Sequence, residues 1–253
     1  MKQLEYLKIL NLAKKSLEEY KNWGENEIYK APSADVSRGK AVLPKAGRQT
    51  FSTEIFGSGE ELEQLKEKVS FCKKCPLGEN RLNAVFGYGS PDADLMFVGE
   101  GPGYDEDHIG KPFVGKAGQL LTKIIEAMGR TREGVYIANI VKCHPMIDPS
   151  NPEKRSNDRP PALKEMEMCR PYLDMQLKII KPKIIVTLGA SSTKGLLNNI
   201  ETISRIRGSV REYKGIKLMP TFHPAALLRN QDLKKIVWED MKKVMHYLDT
   251  CEI

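Results

Sequence analysis

Four short stretches of the chain are almost wholly apolar, and helical periodicity fills the spaces between them. The stretches are Asp94–Val98, Val135–Val141, Lys183–Leu188 and Ile216–Thr221. Apolar runs of this length read as strands buried on both faces. Residues 117–128 place Leu120, Leu121, Ile124, Ile125 and Met128 on one side of a helix, with Gly129 as its stop. Residues 161–180, Ser191–Leu197 and a final stretch from Leu233 to Asp249 also read as helices. This alternation predicts an α/β fold of three layers, α/β/α, in which a central, mostly parallel sheet is covered on both faces.

Upstream the pattern changes. Leu4, Leu7, Ile9, Leu10, Leu17 and Tyr20 recur at roughly helical spacing and predict a helix over residues 1–22. From Asn22 to about Glu60 the pattern dissolves into a stretch with Pro32, Pro44 and few large apolar residues, which reads as a flexible basic linker. A short helix over Glu60–Val69 then leads to Cys72. The expected organisation is an N-terminal helix and linker over residues 1–69 and a main domain over residues 70–253. Within that domain the polar segment 149–161, rich in Pro, Ser and Asn, is a loop.

In sheets of this kind functional groups gather at the carboxyl ends of the strands. Three ends carry unusual residues. The first is Gly99-Glu100-Gly101-Pro102-Gly103, which has neither dinucleotide nor P-loop spacing but sets a carboxylate in a tight turn. The second is the stretch Asn139 to His144, where Asn139 interrupts an apolar strand and needs hydrogen-bond partners there. The third is His223-Pro224, where proline fixes the next φ and aims an imidazole at the cleft. Glu100 and His223 suit a base and an anion-stabilising group. Phe113, on a loop between Gly110 and Gly115, suits stacking on a planar ligand.

Cysteine usage adds a second kind of chemistry. Cys72 and Cys75 form a Cys-x-x-Cys pair followed by Pro76; 67 residues intervene before Cys143 and 25 more before Cys169. Four thiolates so arranged suit a soft metal centre, either a [4Fe–4S] cluster or a tetrahedral zinc. Cys251, near the end of the chain, stands apart from them.

Composition narrows the classes. The 253 residues are 40% hydrophobic, enough for one substantial domain with a short appendage. No run of eighteen apolar residues exists, and the charged N-terminus lacks the apolar core of a signal peptide, so a cytoplasmic protein with no membrane span is expected. A reducing compartment favours metal sites over disulfides. The net charge of +7 suits a polyanionic partner such as nucleic acid.

The motifs taken together resemble a known family. The run from Gly99 to Gly103, then Glu106-Asp107, then Gly110-Lys-Pro-Phe-Val-Gly-Lys-Ala-Gly-Gln-Leu-Leu121 resembles the first signature of the family 4 uracil-DNA glycosylases. Tyr136 to Cys143 resembles their second segment and Thr221 to Asn230 their third. The resemblance spans about residues 70–248. It implies a uracil-DNA glycosylase-like fold, removal of uracil from single- or double-stranded DNA in base excision repair, and a [4Fe–4S] cluster on Cys72, Cys75, Cys143 and Cys169. By the same resemblance Glu100 matches the glutamate that handles the water, Phe113 the aromatic that stacks on the flipped base, and Asn139 the asparagine that reads its edge. His223 matches the histidine that stabilises the departing anion. Gly99 and Gly101 fall in the substrate loop, and Ala225, Leu227, Leu228 and Arg229 in the segment pressing into DNA.

The chain departs from the family pattern in places. Gly101 stands where members more often have Ala, His144 where Arg is usual, and residues 148–159 look like an insertion. Three other readings compete. One is a relative that traps uracil-DNA covalently through a histidine, with His144 as its only candidate near the insertion. Another is a zinc-stapled nucleic-acid-binding module without catalysis. The third is a polymerase-associated accessory in which the N-terminal helix docks a repair or replication protein. A monomer is expected.

Overall fold

The computed structural model describes residues 57–198 and 201–251, all within the compact unit that starts at Phe56. The expected helix over residues 1–22 and the linker up to residue 56 lie outside the described residues.

Six strands form one sheet: β1 (Tyr88–Gly89), β2 (Leu95–Gly99), β3 (Tyr136–Asn139), β4 (Ile184–Leu188), β5 (Arg211–Tyr213) and β6 (Ile216–Thr221). Their order is β1-β3-β2-β4-β6-β5. The four inner strands are parallel, with Phe97 opposite Ile137 on one side and opposite Val186 on the other. β1 and β5 close the edges antiparallel. The three-layer fold and the mostly parallel sheet are as the alternation predicts. Two edge strands carry no apolar run, being only Tyr88-Gly89 and Arg211-Glu212-Tyr213, and this hid them from periodicity.

Inner-strand side chains alternate between two cores. Leu95 and Phe97 pack with α4 (Lys116–Ala127) and α9 (Leu233–Thr250). Met96 and Val98 pack on the other side with α5 (Leu163–Ile180). All four are fully buried, which is why the strand reads as a continuous apolar run. Helix α1 (Ser58–Ser70) puts Leu62, Leu65 and Val69 into the second core. The boundary drawn at residues 69 and 70 therefore moves upstream, because α1 buries an apolar stripe against the domain instead of belonging to a linker.

The remaining helices are short: α2 (Leu77–Asn80), α3 (Tyr104–Ile109), α6 (Ala190–Leu197), α7 (Ile203–Ile206) and α8 (Pro224–Arg229). The strand expected over Val135–Val141 ends at Asn139, but Ile140 and Val141 still donate to the carbonyls of Gly99 and Glu100 at 3.0 and 3.2 Å. From β2 the chain steps outward to β3 and then crosses back to β4. That reversal opens a crevice at the carboxyl ends of these strands, where ligands of open α/β sheets bind.

Candidate active site

The crevice is a cleft of about 440 Å³, lined by Glu100, Gly101, Phe113, Asn139, His223, Ala225 and Arg229 among others. All four groups assigned to the chemistry from sequence thus line one cleft, although 123 positions separate Glu100 from His223.

Glu100 leaves the end of β2 half-buried. Burial raises its carboxyl above the ordinary glutamate value, against a hydrogen bond from Ser191 that lowers it. Its Oε1 is buried and has no hydrogen-bond partner. Asn139 ends β3 at 1% exposure, and its Oδ1 is likewise buried and unpartnered. Two unpaired acceptors in one cleft are costly unless a ligand supplies the donors.

His223 is the N-cap of α8, with Pro224 at the first helical position. Its Nδ1 accepts from the Ala225 backbone N at 3.1 Å, so the neutral ring carries its proton on Nε2. Burial, helped by Arg229, lowers the imidazole to about 4. The ring is therefore a neutral donor at physiological pH.

Phe113 is buried and lies 5.7 Å from His223 between ring centroids, with planes tilted by 34°. Its φ of 53° is in the left-handed region that bulky residues avoid. Glu106 holds this strained loop: Oε1 accepts from Val114 N at 2.9 Å and Gly115 N at 3.0 Å, and Oε2 from Gly103 N at 3.2 Å. Arg132 adds a bond from Nη2 to the Pro112 carbonyl at 2.8 Å. Glu106 lines the cleft and clamps both motif loops, a role its place in the sequence motif did not reveal.

Gly99 does not line the cleft. A Cβ there would lie 2.5 Å from the Phe113 ring and closer still to the Asn139 amide, so glycine lets those two groups approach β2. At Gly101 a Cβ would meet the Val141 side chain at 2.7 Å, which accounts for glycine there.

The segment expected to press into DNA is not a loop but the six-residue helix α8. Ala225 and Arg229 line the cleft, and Leu228 is 41% exposed beside them. Leu227 is a correction: at 1% exposure it points into the core with Leu121 and Met241, and cannot reach a ligand.

Asp158 and Arg159, at the end of the segment read as an insertion, also line the cleft, as do Pro160 and Pro161 after it. Asn157 pins that segment by accepting from Asp148 N at 2.8 Å and donating to the Asp148 and Asn151 carbonyls. Arg159 pairs with Glu165 through two bonds of 2.9 and 2.7 Å. His144 is fully buried, with Nε2 on Asp158 at 2.6 Å. Burial pulls that imidazole down, but the carboxylates of Asp107 and Asp158 outweigh it and hold it at about 9. His144 is fully buried and is not among the residues lining the cleft, so the structure does not present it to a ligand there.

All four cysteines predicted as ligands line one small cavity, beside Arg81, Lys142 and Tyr172. All are free thiols; Cys143 and Cys169 are buried, Cys72 and Cys75 half-buried. Arg81 donates from Nη1 to Cys143 Sγ at 2.8 Å. Among the described residues no group of three or more His, Cys, Asp and Glu is tight enough to hold a single metal ion. The thiols surround the cavity instead, with cations ready to balance thiolates, a donor set that fits a sulfur-rich cluster. Cys251 is exposed at the end of α9, away from this group.

A parallel sheet with a carboxylate, a neutral imidazole, an amide and an aromatic at its carboxyl edge, beside a four-cysteine centre, defines a base-processing α/β enzyme. The chain belongs to the uracil DNA glycosylase superfamily, whose sequence model matches residues 86–242, and to its type-4 branch. It is 48% identical over 194 residues to a type-4 uracil-DNA glycosylase of Sulfurisphaera tokodaii, covering 73% of this chain and 84% of that one. To the type-4 uracil-DNA glycosylase of Thermotoga maritima it is 42% identical over 198 residues, 77% of this chain and 98% of the other. The corresponding figures for the Saccharolobus solfataricus type-4 enzyme are 42% over 201 residues, 76% and 88%. No helix among the described residues is long and apolar enough to cross a membrane.

Proposed function

We propose that this chain hydrolyses the N-glycosidic bond of uracil in DNA, leaving an abasic site for base excision repair. The observation that carries the reading is the convergence of Glu100, Asn139, His223 and Phe113 in one cleft, with two buried acceptors unpaired.

The target nucleotide must leave the stack to enter the cleft. The base then lies on Phe113, while Asn139 Oδ1 accepts from uracil N3–H and its amide donates to O4. Cytosine offers no N3–H, so it leaves that oxygen unpaired. As the C1′–N1 bond breaks, its electron pair moves onto the base and gathers at O2. His223 Nε2–H donates to that oxygen without giving up its proton. The sugar becomes cationic, Glu100 Oε1 holds the water and takes its proton, and the oxygen bonds to C1′. Arg229 and Leu228 of α8 meet the DNA where the base leaves, and the substrate is uracil-containing DNA.

We further propose that Cys72, Cys75, Cys143 and Cys169 hold a [4Fe–4S] cluster, zinc being the alternative. Support comes from four free thiols around one cavity with Arg81 donating to Cys143. A group held by these residues would tie the α1–α2 connection to the segment after β3 and to the body of α5, and the hydrolysis needs no electron from it.

The test is strand cleavage, after alkali, of oligonucleotides carrying one uracil opposite G, opposite A or unpaired. Cleavage at uracil alone, abolished in Glu100→Ala and His223→Ala, is the expected result. A folded, metal-replete chain that leaves all three substrates intact overturns the reading.

A further inference from the structure

Lys142 stands between two sites in the chain. Asn139, before it, ends β3 and lines the cleft, while Cys143, the next residue, lines the cysteine cavity. Lys142 lines that cavity too, with its side chain fully buried. Its ammonium turns back along the chain: Nζ donates to the Asn139 carbonyl and to Gln176 Oε1, each at 2.7 Å. Gln176, fully buried on α5, is held in turn, since its Nε2 donates to the Phe86 carbonyl at 3.0 Å and to the Tyr136 hydroxyl at 3.1 Å. Tyr136 begins β3, so one buried network grips this strand at both ends.

Both of these partners of Lys142 are neutral oxygens, and a buried cation is costly without a counter-charge. The thiols of Cys72, Cys75, Cys143 and Cys169 line the same cavity, and as thiolates on a bound metal they carry that charge. Two other cations line it. Arg81 is committed to Cys143 Sγ and to the carbonyls of Val69 and Ser70, and Lys74 lies over the Tyr172 ring at 4.9 Å. Lys142 is the cation of this cavity that holds a residue of the cleft.

We propose that Lys142 is a positioning residue that joins the cysteine centre to recognition of the base. The metal-bound thiolates balance its charge, and its ammonium holds the Asn139 backbone so that the Asn139 amide meets the uracil edge. The fit there is close. A Cβ at Gly99 would overlap Asn139 Oδ1, so a small shift at the end of β3 misplaces the amide. The assignment rests on the cluster reading of the four cysteines and on the role given to Asn139.

The experiment uses the full chain purified anaerobically, with iron counted per chain, for the wild type, Lys142→Met, Lys142→Gln and Asn139→Ala. It reads two quantities besides activity: affinity for free uracil by equilibrium dialysis, and the reduction potential of the iron centre without DNA. Lys142→Met is expected to lose roughly ten-fold in uracil affinity, the worth of one well-placed hydrogen bond. Its potential moves to a more negative value, because a positive charge beside the cluster has gone. Lys142→Gln, a neutral donor, shifts the potential in the same direction and loses affinity by a smaller factor; it carries the test if Lys142→Met does not fold with iron bound. An iron-bearing variant with wild-type affinity overturns the proposal, and so does one whose potential has not moved, since a merely structural lysine would leave both unchanged. If Asn139→Ala keeps wild-type uracil affinity, the role of Asn139 falls and Lys142 with it. A weakly binding Asn139→Ala beside a normal Lys142→Met removes Lys142 only. A wild-type chain without iron removes the cluster reading and the proposal together.

Discussion

Phe113 and His223 face each other with 5.7 Å between ring centroids and 34° between planes. A flat base sandwiched between two rings needs about 7 Å, two layers of carbon contact. The gap is too narrow for that. The proposed reading therefore puts the base on Phe113 alone and His223 at its edge, with a different job for each ring. Phe113→Ala is expected to lower kcat/KM by roughly 10- to 100-fold, the range of one base–aromatic stack. Single-turnover kinetics on unpaired uracil read this without the cost of opening a duplex. A loss below two-fold removes the stacking role.

The activity should have an acid limb above the ordinary glutamate range. Burial raises the Glu100 carboxyl, and the form that takes a proton from water is the ionised one, so the rate falls as pH drops through the raised value. Stability carries the opposite sign. The folded chain keeps this proton to higher pH than the unfolded chain, so stability falls as pH rises through the interval between the two values. Glu100→Gln should therefore raise Tm at neutral pH while lowering kcat by about 10²- to 10⁴-fold. A variant that is inactive and less stable than wild type contradicts this balance.

His223 contributes no limb between pH 5 and 8. Its imidazole is held at about 4, and its Nδ1 is occupied by the Ala225 amide, so it donates from Nε2 as a neutral ring throughout. In the unfolded chain the ring titrates near 6.5, so this residue lowers stability as pH falls below that value. His223→Ala is expected to lose about 10²- to 10³-fold in kcat, with His223→Gln recovering part through its amide donor. An NMR titration of the ring that shows a midpoint near 6.5 in the folded protein rules out the neutral-donor role.

The four inner strands were legible because strands buried on both faces lose their alternation and become plain apolar runs. Their ends were legible because Glu100, Asn139 and His223 break those runs with chemistry that needs partners. Local pattern could not say where a side chain finishes. Leu227 and Leu228 are neighbours of equal character, and only the turn of α8 sends one to the core and the other to the surface. The stripe Leu62, Leu65 and Val69 was visible at helical spacing, but its destination on α5 depends on contacts about a hundred residues away. Glu106 was missed for the same reason: its partners are the Val114 and Gly115 amides across a loop.

The cysteine centre should behave as a staple. Cys72 and Cys75 lie between α1 and α2, Cys143 follows β3 and Cys169 sits on α5, so one bound group closes a loop of 67 residues. Closing a loop of that size is worth about 4 kcal/mol by chain entropy, or roughly 8–16 °C in Tm for a domain of this length. Cys143→Ser should lose iron, sulfide and visible absorbance and fall by that amount. A colourless wild-type protein with one zinc per chain would assign the centre to zinc instead.

Behind His223 lies a buried ion pair whose removal should cost more than any surface change. Asp240 is fully buried and is bonded by Arg207 through both oxygens, while Thr221 donates to its Oδ2 at 2.7 Å. Thr221 ends β6 two residues before His223. Arg207 also bonds the Ile236 carbonyl at 3.0 Å, and Gly208 donates to Pro220 O at 2.9 Å, so the pair joins α9, the segment after α7 and the end of β6. Arg207→Met leaves a carboxylate in the core with only a hydroxyl for company. The expected cost is about 3–5 kcal/mol by urea denaturation, with an unchanged m-value. Replacing both partners, Arg207→Met with Asp240→Leu, should recover much of that loss, because an apolar pair removes the stranded charge. If the double variant is no more stable than Arg207→Met, the loss comes from the shape of this corner and not from the uncompensated charge.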